Sequence, residues 1–359
     1  MHAAVGFSRL DDASSAVEEA VSAVARRLQG RPDLVLLFAT SDYAEEIQLV
    51  RDRVLQRLAP AAMLGGSTTG VISPEGEHED QRGLGILALS GVRATTHLLS
   101  SAEELAALDT TTAALTLALP DPMSLDHDLL AALAAIPLLA GGAISGNRGA
   151  MFALSHDQSG EGLTGVAVLH GISARVGVTQ GASPAGPFRR VTRARRNVVL
   201  ELSGHPAGEA LRAHVHAAGA QAEDQLPALL YAALRHPGET GHVIRPIVGV
   251  DPQAGGFLLP DELEEGMELA FAFRETLAAM RDREAMLKQV SLGAAAPVAA
   301  LYFNCAGRGA RLHLEADADL RAIARALPGV PLLGMTSSFE LAGPRLLMYS
   351  GVLVVVAEG

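Results

Sequence analysis

Three stretches of the chain repeat one order of apolar and polar positions. Asp33–Ala39 is an apolar run that predicts a strand, and Glu45–Leu58 carries apolar residues at helical spacing. Pro60 then leads into a short apolar stretch that ends in Gly65-Gly66-Ser67-Thr68-Thr69-Gly70. The order recurs as strand Ala114–Leu119, helix Asp126–Ala135, Pro137, and Leu138–Gly146 with its Gly141-Gly142 pair. It recurs again as strand Val298–Phe303, helix Ala316–Leu327, Pro331, and Leu332–Ser338. A proline fixes φ where each second strand begins, so each segment predicts a β-α-β unit. Further strand-like runs follow at Gly83–Ser90, Gly149–Leu154, Gly162–His170, Ala174–Gln180 and Leu346–Ala357. Helical crossovers mixed with hairpin-like pairs predict mixed sheets with helices packed on them. The fold class is therefore α/β, or mixed α+β, in two parts.

The junction is expected in the small, polar stretch Gly219–Gln225, giving domains 1–220 and 221–359. Before it, Asp11 or Asp12 caps a helix Ala13–Leu28, and Pro206 suits the first turn of a helix running to about Ala218. After it come a helix Leu226–Leu234, strands at His242–Gly249 and Met267–Phe273, and a half-buried helix Glu275–Val290. Arg281, Arg283 and Lys288 are expected on that helix's polar face.

Charge narrows the function classes. The chain has 359 residues and a formal net charge of −12, which argues against a nucleic-acid partner. Of its 28 basic residues only Lys288 is a lysine. Five arginines in Phe188–Arg196 form a local basic patch without an aromatic stacking platform, which reads as a solvated face. A single cysteine fits a reducing compartment. No signal pattern and no apolar run near the roughly 20 residues of a membrane span is present, so a cytoplasmic protein without a membrane partner is expected.

Candidate chemistry gathers where strands end. Leu301–Gly309 brings Asn304, Cys305 and Arg308 to the mouth of a sheet, where α/β proteins bind ligands. Cys305 reads as a pocket wall, as a buried small apolar residue, or as a nucleophile with His313 as its base. Arg308 should fork onto a carboxylate, either Glu340 or that of a ligand. Glu340 and Ser337 lie among small residues, and a cation paired with an acid across one pocket suits a zwitterion. Gly65, Gly66, Ser67, Thr68, Gly141 and Gly142 either cradle a ligand with backbone N–H groups or let the chain leave a strand at positive φ. No lysine follows for a phosphate loop, and the twelve histidines show no metal-binding spacing, so no metal site is expected.

These segments together resemble one known family. They are Pro32–Phe38, Leu64–Ile72, Gly83–Ile86, Ala140–Ser145, Leu202–Ala207, Arg245–Gly249, Asn304–Gly309, Pro331–Gly334 and Glu340. In order and spacing the chain is similar to the FIST domain, in both its N-terminal and C-terminal parts. The resemblance implies an intracellular sensory module for small ligands such as amino acids, signalling through a separate protein such as a histidine kinase. It places Cys305, Arg308 and Glu340 in the C-terminal part and the Gly-Gly segments in the N-terminal part. It also leaves a haem-binding nitric oxide sensor as an alternative, because some similar bacterial proteins hold haem. The expectation is a binding protein without a cofactor and not an enzyme. The alternatives are haem and a Cys305-dependent acyl transferase or hydrolase.

Overall fold

The computed structural model describes residues 1–28, 30–147, 150–217, 230–239, 241–292 and 295–359. The chain divides into two compact units. One comprises residues 1–179, 283–346 and 350–359, and the other 180–282 and 347–349. The sequence-expected junction at 219–225 lies outside the described residues.

The larger unit holds three six-stranded sheets, and the three β-α-β segments are their centres. In the first sheet Leu34–Thr40 pairs in parallel with Ala62–Thr68 and antiparallel with Leu84–Ser90. In the second, Leu115–Leu119 pairs in parallel with Leu139–Gly142 and antiparallel with Thr164–His170. In the third, Pro297–Cys305 pairs in parallel with Leu332–Ser337 and antiparallel with Ser350–Glu358. The strands His2–Ser8, Arg93–Leu99 and Ile172–Gln180 extend the sheets on that antiparallel side. These central strands are nearly all buried on both faces, which is why they read as unbroken apolar runs.

Each unit hands its following hairpin to another sheet, in a closed cycle. Gly70–Ser73 and Gly76–Glu79 follow the first sheet's parallel strand but pair with Leu332–Ser337 of the third. Ala153–Ser155 and Ser159–Gly160 follow the second sheet's parallel strand but pair with Ala62–Thr68 of the first. Glu340–Ala342 and Arg345–Leu347 follow the third sheet's parallel strand but join Leu139–Gly142 of the second. Three similar local units are thereby interlocked by backbone hydrogen bonds.

Helices cover these sheets by their apolar stripes. Ala13–Arg27 is capped by Asp12, whose carboxylate accepts from the Ser15 N–H at 2.8 Å, and buries Val17, Val21 and Val24. Those valines share a core with Val50 and Val54 of helix Ile47–Leu58. Helix His127–Ala134 is capped by Asp126 and buries Leu129 and Leu133. Helix Ala318–Ala326 and the second half of helix Thr276–Ser291 pack Ile323, Leu320, Met286 and Val290 over the third sheet.

The smaller unit is one nine-stranded sheet built around Tyr231–Arg235, Glu268–Phe273, Arg189–Arg195 and Val198–Leu202, with helix Ala207–Ala217 against it. Two expectations change here. The second half of the helix read over Leu226–Leu234 is a strand, because Tyr231–Arg235 pairs with Glu268–Phe273 and alternates as a sheet residue set; residues 226–229 lie outside the described part. The basic patch is strand Arg189–Arg195, and its arginines meet acids across the sheet surface, Arg193 with Glu201 at 3.0 Å and Arg195 with Asp251 at 3.5 Å. A solvated, charge-paired face explains it.

Candidate functional site

The cyclic exchange brings the three small-residue segments together in the interior. Thr68 and Ser145 each donate through their hydroxyls to the Thr336 carbonyl at 2.8 Å. The Ser145 N–H donates to the Ser67 carbonyl at 3.0 Å, and the Phe152 N–H to the Ser67 hydroxyl at 3.0 Å. Ser67, Thr68 and Ser337 are fully buried. Their hydroxyls satisfy backbone groups that the crossing strands leave behind, as buried polar groups must be satisfied.

The glycines serve close approach, not turning. Gly65, Gly66, Gly141 and Gly142 lie within strands, and none takes positive φ. A Cβ on Gly141 would stand 1.9 Å from the Ala118 carbonyl oxygen, and one on Gly65 would stand 2.3 Å from that of Leu37. The reading of these glycines as turn residues at positive φ is therefore corrected.

Arg308 is also interior. Its guanidinium forks onto Asp319, with Nε and Nη2 at 3.3 Å from the carboxylate oxygens. Asp319 further accepts from Arg283 Nη1 at 3.1 Å and from the Tyr302 hydroxyl at 2.9 Å, and His313 Nε2 lies 3.0 Å away. The side chains of Arg308 and Asp319 expose nothing to solvent. The facing arginines and His313 hold the Asp319 carboxyl far below its usual range, overcoming the opposing effect of burial. Asp319 sits in the first turn of its helix, where the backbone dipole adds to that stabilisation. Arg283, expected on a polar helix face, is buried here at 3% exposure. His313, the sequence's candidate base for Cys305, is turned onto Asp319.

Glu340 lies in the second sheet, opposite Gly142 in register. Its carboxyl accepts from the Ser337 hydroxyl at 2.7 Å and the Ser350 hydroxyl at 2.5 Å. Complete burial pushes its pKa up to about 8, against the pull of those hydroxyls and of Arg308. The protein carboxylate that receives the Arg308 fork is Asp319, not the expected Glu340. A third buried acid, Glu77, accepts from the Leu320 N–H at 2.6 Å. Burial and the neighbouring Asp319 charge raise its pKa to about 7.

An open cleft remains where the strands Pro297–Cys305 and Leu332–Ser337 end. Asn304, Cys305 and Thr336 form its floor, and Glu79, Asp80 and Arg311 its rim. Its cavity is about 20 Å³, room for one or two waters. Asn304 is 2% exposed, and its Oδ1 has no hydrogen-bond partner among the described residues. Glu79 accepts from the Ala310 N–H at 3.1 Å, and burial raises its pKa. Its carboxylate lies against Gly309, at φ +53°, where a Cβ would come within 1.4 Å of Oε1. The left-handed φ is what favours glycine after Arg308, since the Glu79 carboxylate ends a flexible side chain that can shift. At the rim, Arg311 faces Asp80 at 3.0 Å with both side chains more than 60% exposed.

Of the sequence-nominated residues, only Asn304 and Cys305 line this cleft. Gly65, Gly66, Ser67, Thr68, Gly141, Gly142, Arg308, Ser337 and Glu340 lie in the buried network behind it. Glu79, Asp80 and Arg311 were missed, since two come from a hairpin donated by a distant segment. The Gly309 position was the one available signal. Among the described residues no cluster of three or more His, Cys, Asp or Glu is placed to hold a metal ion.

A mixed α/β protein whose parallel strand pairs end at a polar cleft is the class this architecture defines. The N-terminal FIST domain model matches residues 33–205 and the C-terminal FIST domain model matches residues 207–343, so the chain belongs to the FIST family. Domains of this family are generally sensory, ligand-binding signalling domains. An uncharacterised Mycobacterium tuberculosis protein is 30% identical over 366 residues, covering 96% of this chain and 95% of its own length. An uncharacterised Mycobacterium bovis protein is 28% identical over 366 residues, covering 96% of this chain and 94% of its own. No helix among the described residues is long and apolar enough to cross a membrane.

Proposed function

We propose that this protein is a cytoplasmic sensory module that binds a small, amino-acid-like zwitterion at the Cys305 cleft. It does no covalent chemistry on that ligand and signals through a separate partner such as a histidine kinase. The observation that carries the reading is the set of groups around one opening. Asn304 Oδ1 and Glu79 are acceptors for an ammonium, and Arg311 at the rim is a fork for a carboxylate. Cys305 then serves as a wall of the pocket, and the buried Arg308–Asp319 network sets the shape behind it.

A cavity of about 20 Å³ is too small for an amino acid, so the ligand favours a wider arrangement of the rim. Selective binding to that arrangement is what shifts the population and carries the signal. Haem is less well supported: the apolar cleft of about 500 Å³ elsewhere in the larger unit has no His, Cys, Met or Tyr in its wall to act as axial ligand.

The test is calorimetric titration of the purified protein with a panel of amino acids, followed by Asn304→Ala and Arg311→Ala. Saturation at 100-fold above the dissociation constant should also stabilise the fold by about 2.7 kcal/mol. Binding by at least one zwitterion, weakened in both variants, supports the reading. Silence across the panel, or binding indifferent to both substitutions, refutes it.

A further inference from the structure

We propose that a second site, at the opposite end of the same two strands, takes a single-chain amphiphilic carboxylate of the fatty-acid type. Ala300 and Leu332 begin the parallel pair that ends in Cys305 and Ser337. Beneath that beginning lies a cleft of about 500 Å³, bounded by strand His2–Ser8 on one side and helix Ala318–Ala326 on the other. Its volume falls in the range of small-molecule pockets, about 300–1,000 Å³.

The cleft is built, not left over. Its wall is apolar, through Val5, Ala300, Ile323 and Leu327, and these side chains are themselves 5% exposed or less. The cleft opens to solvent, and small residues, Ala324 and Gly329 among them, stand exposed in its wall where larger side chains would fill it. An apolar ligand is the complement of such a wall.

Charge supplies the head group. The protein carries a net −12, yet the charged residues lining this cleft are both arginines, Arg27 and Arg321, with no carboxylate among the lining residues. Arg27 Nη1 donates to the Val5 carbonyl at 2.9 Å, which holds its guanidinium at the lip. Arg321 faces Glu315 at 2.5 Å in an exposed pair, a weak contact that a ligand carboxylate can displace. Apolar depth below two cations fits a monoanionic acyl chain and disfavours a cationic amphiphile.

Titration of the full chain with decanoate, below its micellar concentration, should give saturable one-to-one binding. Decyltrimethylammonium, with the same chain and opposite charge, should bind at least about tenfold more weakly. The double substitution Arg27→Ala/Arg321→Ala should close most of that gap. Ala324→Trp, which fills the cleft from a helix position, should abolish decanoate binding. Ala3→Leu, on the facing strand, should weaken it and serves if Ala324→Trp does not fold. Asn304→Ala, at the other end of the strands, should leave decanoate binding unchanged, which separates this site from the zwitterion cleft. The proposal is overturned if decanoate shows no saturable binding to the wild type. It is equally overturned if the two amphiphiles bind alike, if folded cleft-filling variants still bind decanoate as the wild type does, or if Asn304→Ala abolishes it.

Discussion

Replacing Asp319 by Asn should be among the most damaging conservative changes available to this protein. The amide keeps the size and some hydrogen bonding but removes the negative charge that Arg308 and Arg283 face at 3.1–3.3 Å. At an effective dielectric of about 20, each such contact is worth on the order of 5 kcal/mol before desolvation is subtracted. Both arginines are essentially inaccessible to water, so neither can recover that energy by hydration. Breaking a buried pair from one side typically costs about 3–5 kcal/mol. The assay is urea unfolding, in which the midpoint falls while the slope stays constant. The melting temperature should drop by roughly 6–20 °C, from about 2–4 °C per kcal/mol for a unit of this size. The paired control is Asp80→Asn, which removes the same kind of charge from exposed Arg311 and should cost under about 1 kcal/mol. The pH dependence has a fixed sign. The native Asp319 pKa is depressed, so its contribution is complete above the ordinary carboxyl value of 3.8 and erodes only as pH falls below it. A loss below about 1 kcal/mol in Asp319→Asn would refute the claim that this carboxylate holds the interior arginines in place.

Glu340 should act with the opposite sign. Its pKa rises from 4.5 to about 8 on burial, so the native state binds the proton more tightly than the unfolded chain does. Stability from this group is complete below about 4.5 and is lost as pH climbs toward about 8. Glu340→Gln should flatten the stability–pH curve across that window, measured as urea midpoints at several pH values, and a curve parallel to wild type would show the group to be silent. Glu77 adds a slope of the same sign up to about 7, so Glu77→Gln is the companion variant that separates the two. Gly141→Ala forces a methyl to within 1.9 Å of the Ala118 carbonyl oxygen in the neighbouring strand and should destabilise by about 1–3 kcal/mol or prevent folding. A wild-type melting temperature in that variant would mean that the strands have room to part.

What the chain reveals about itself follows the reach of each interaction. The β-α-β units were legible because each is local: an apolar run, a helical stripe and a proline occur within about thirty residues, and all three appear in the sheets. Edge strands such as His2–Ser8 and Arg93–Leu99 carry weaker patterns and were missed. The hairpin exchange was not legible, because nothing within Gly70–Glu79 says that its partner is Leu332–Ser337. The errors about particular residues have the same origin. Gly141 looks like a turn glycine until the Ala118 carbonyl is placed beside it. An aspartate in a helix's first turn, such as Asp319, has one appearance in sequence whether water or two arginines face it. Asn304 and Cys305 line the cleft where their strands end, a placement that follows from sheet geometry alone. Arg308 and Glu340 lie behind it because long-range pairing, invisible along the chain, closes the interior around them.

The cyclic exchange also explains why the cleft is where it is. Three crossing strands must approach closely, which demands glycine, and must satisfy backbone groups that no ladder reaches, which demands hydroxyls and buried acids. Those demands use up the Gly-Gly and Ser-Thr segments at the crossing, through bonds such as Thr68 and Ser145 to Thr336. The proposed ligand would therefore meet the network at its outer boundary. That boundary lies at Thr336 and Asn304, where the hairpin that brings Glu79 and Asp80 folds across the strand ends. A substitution inside the network, such as Ser337→Ala, should then alter stability first and binding second, whereas Asn304→Ala should do the reverse. Denaturant midpoints and ligand titrations on the same two variants measure that ordering. If Ser337→Ala abolished binding at unchanged stability, the crossing itself, and not the cleft beyond it, would be the site.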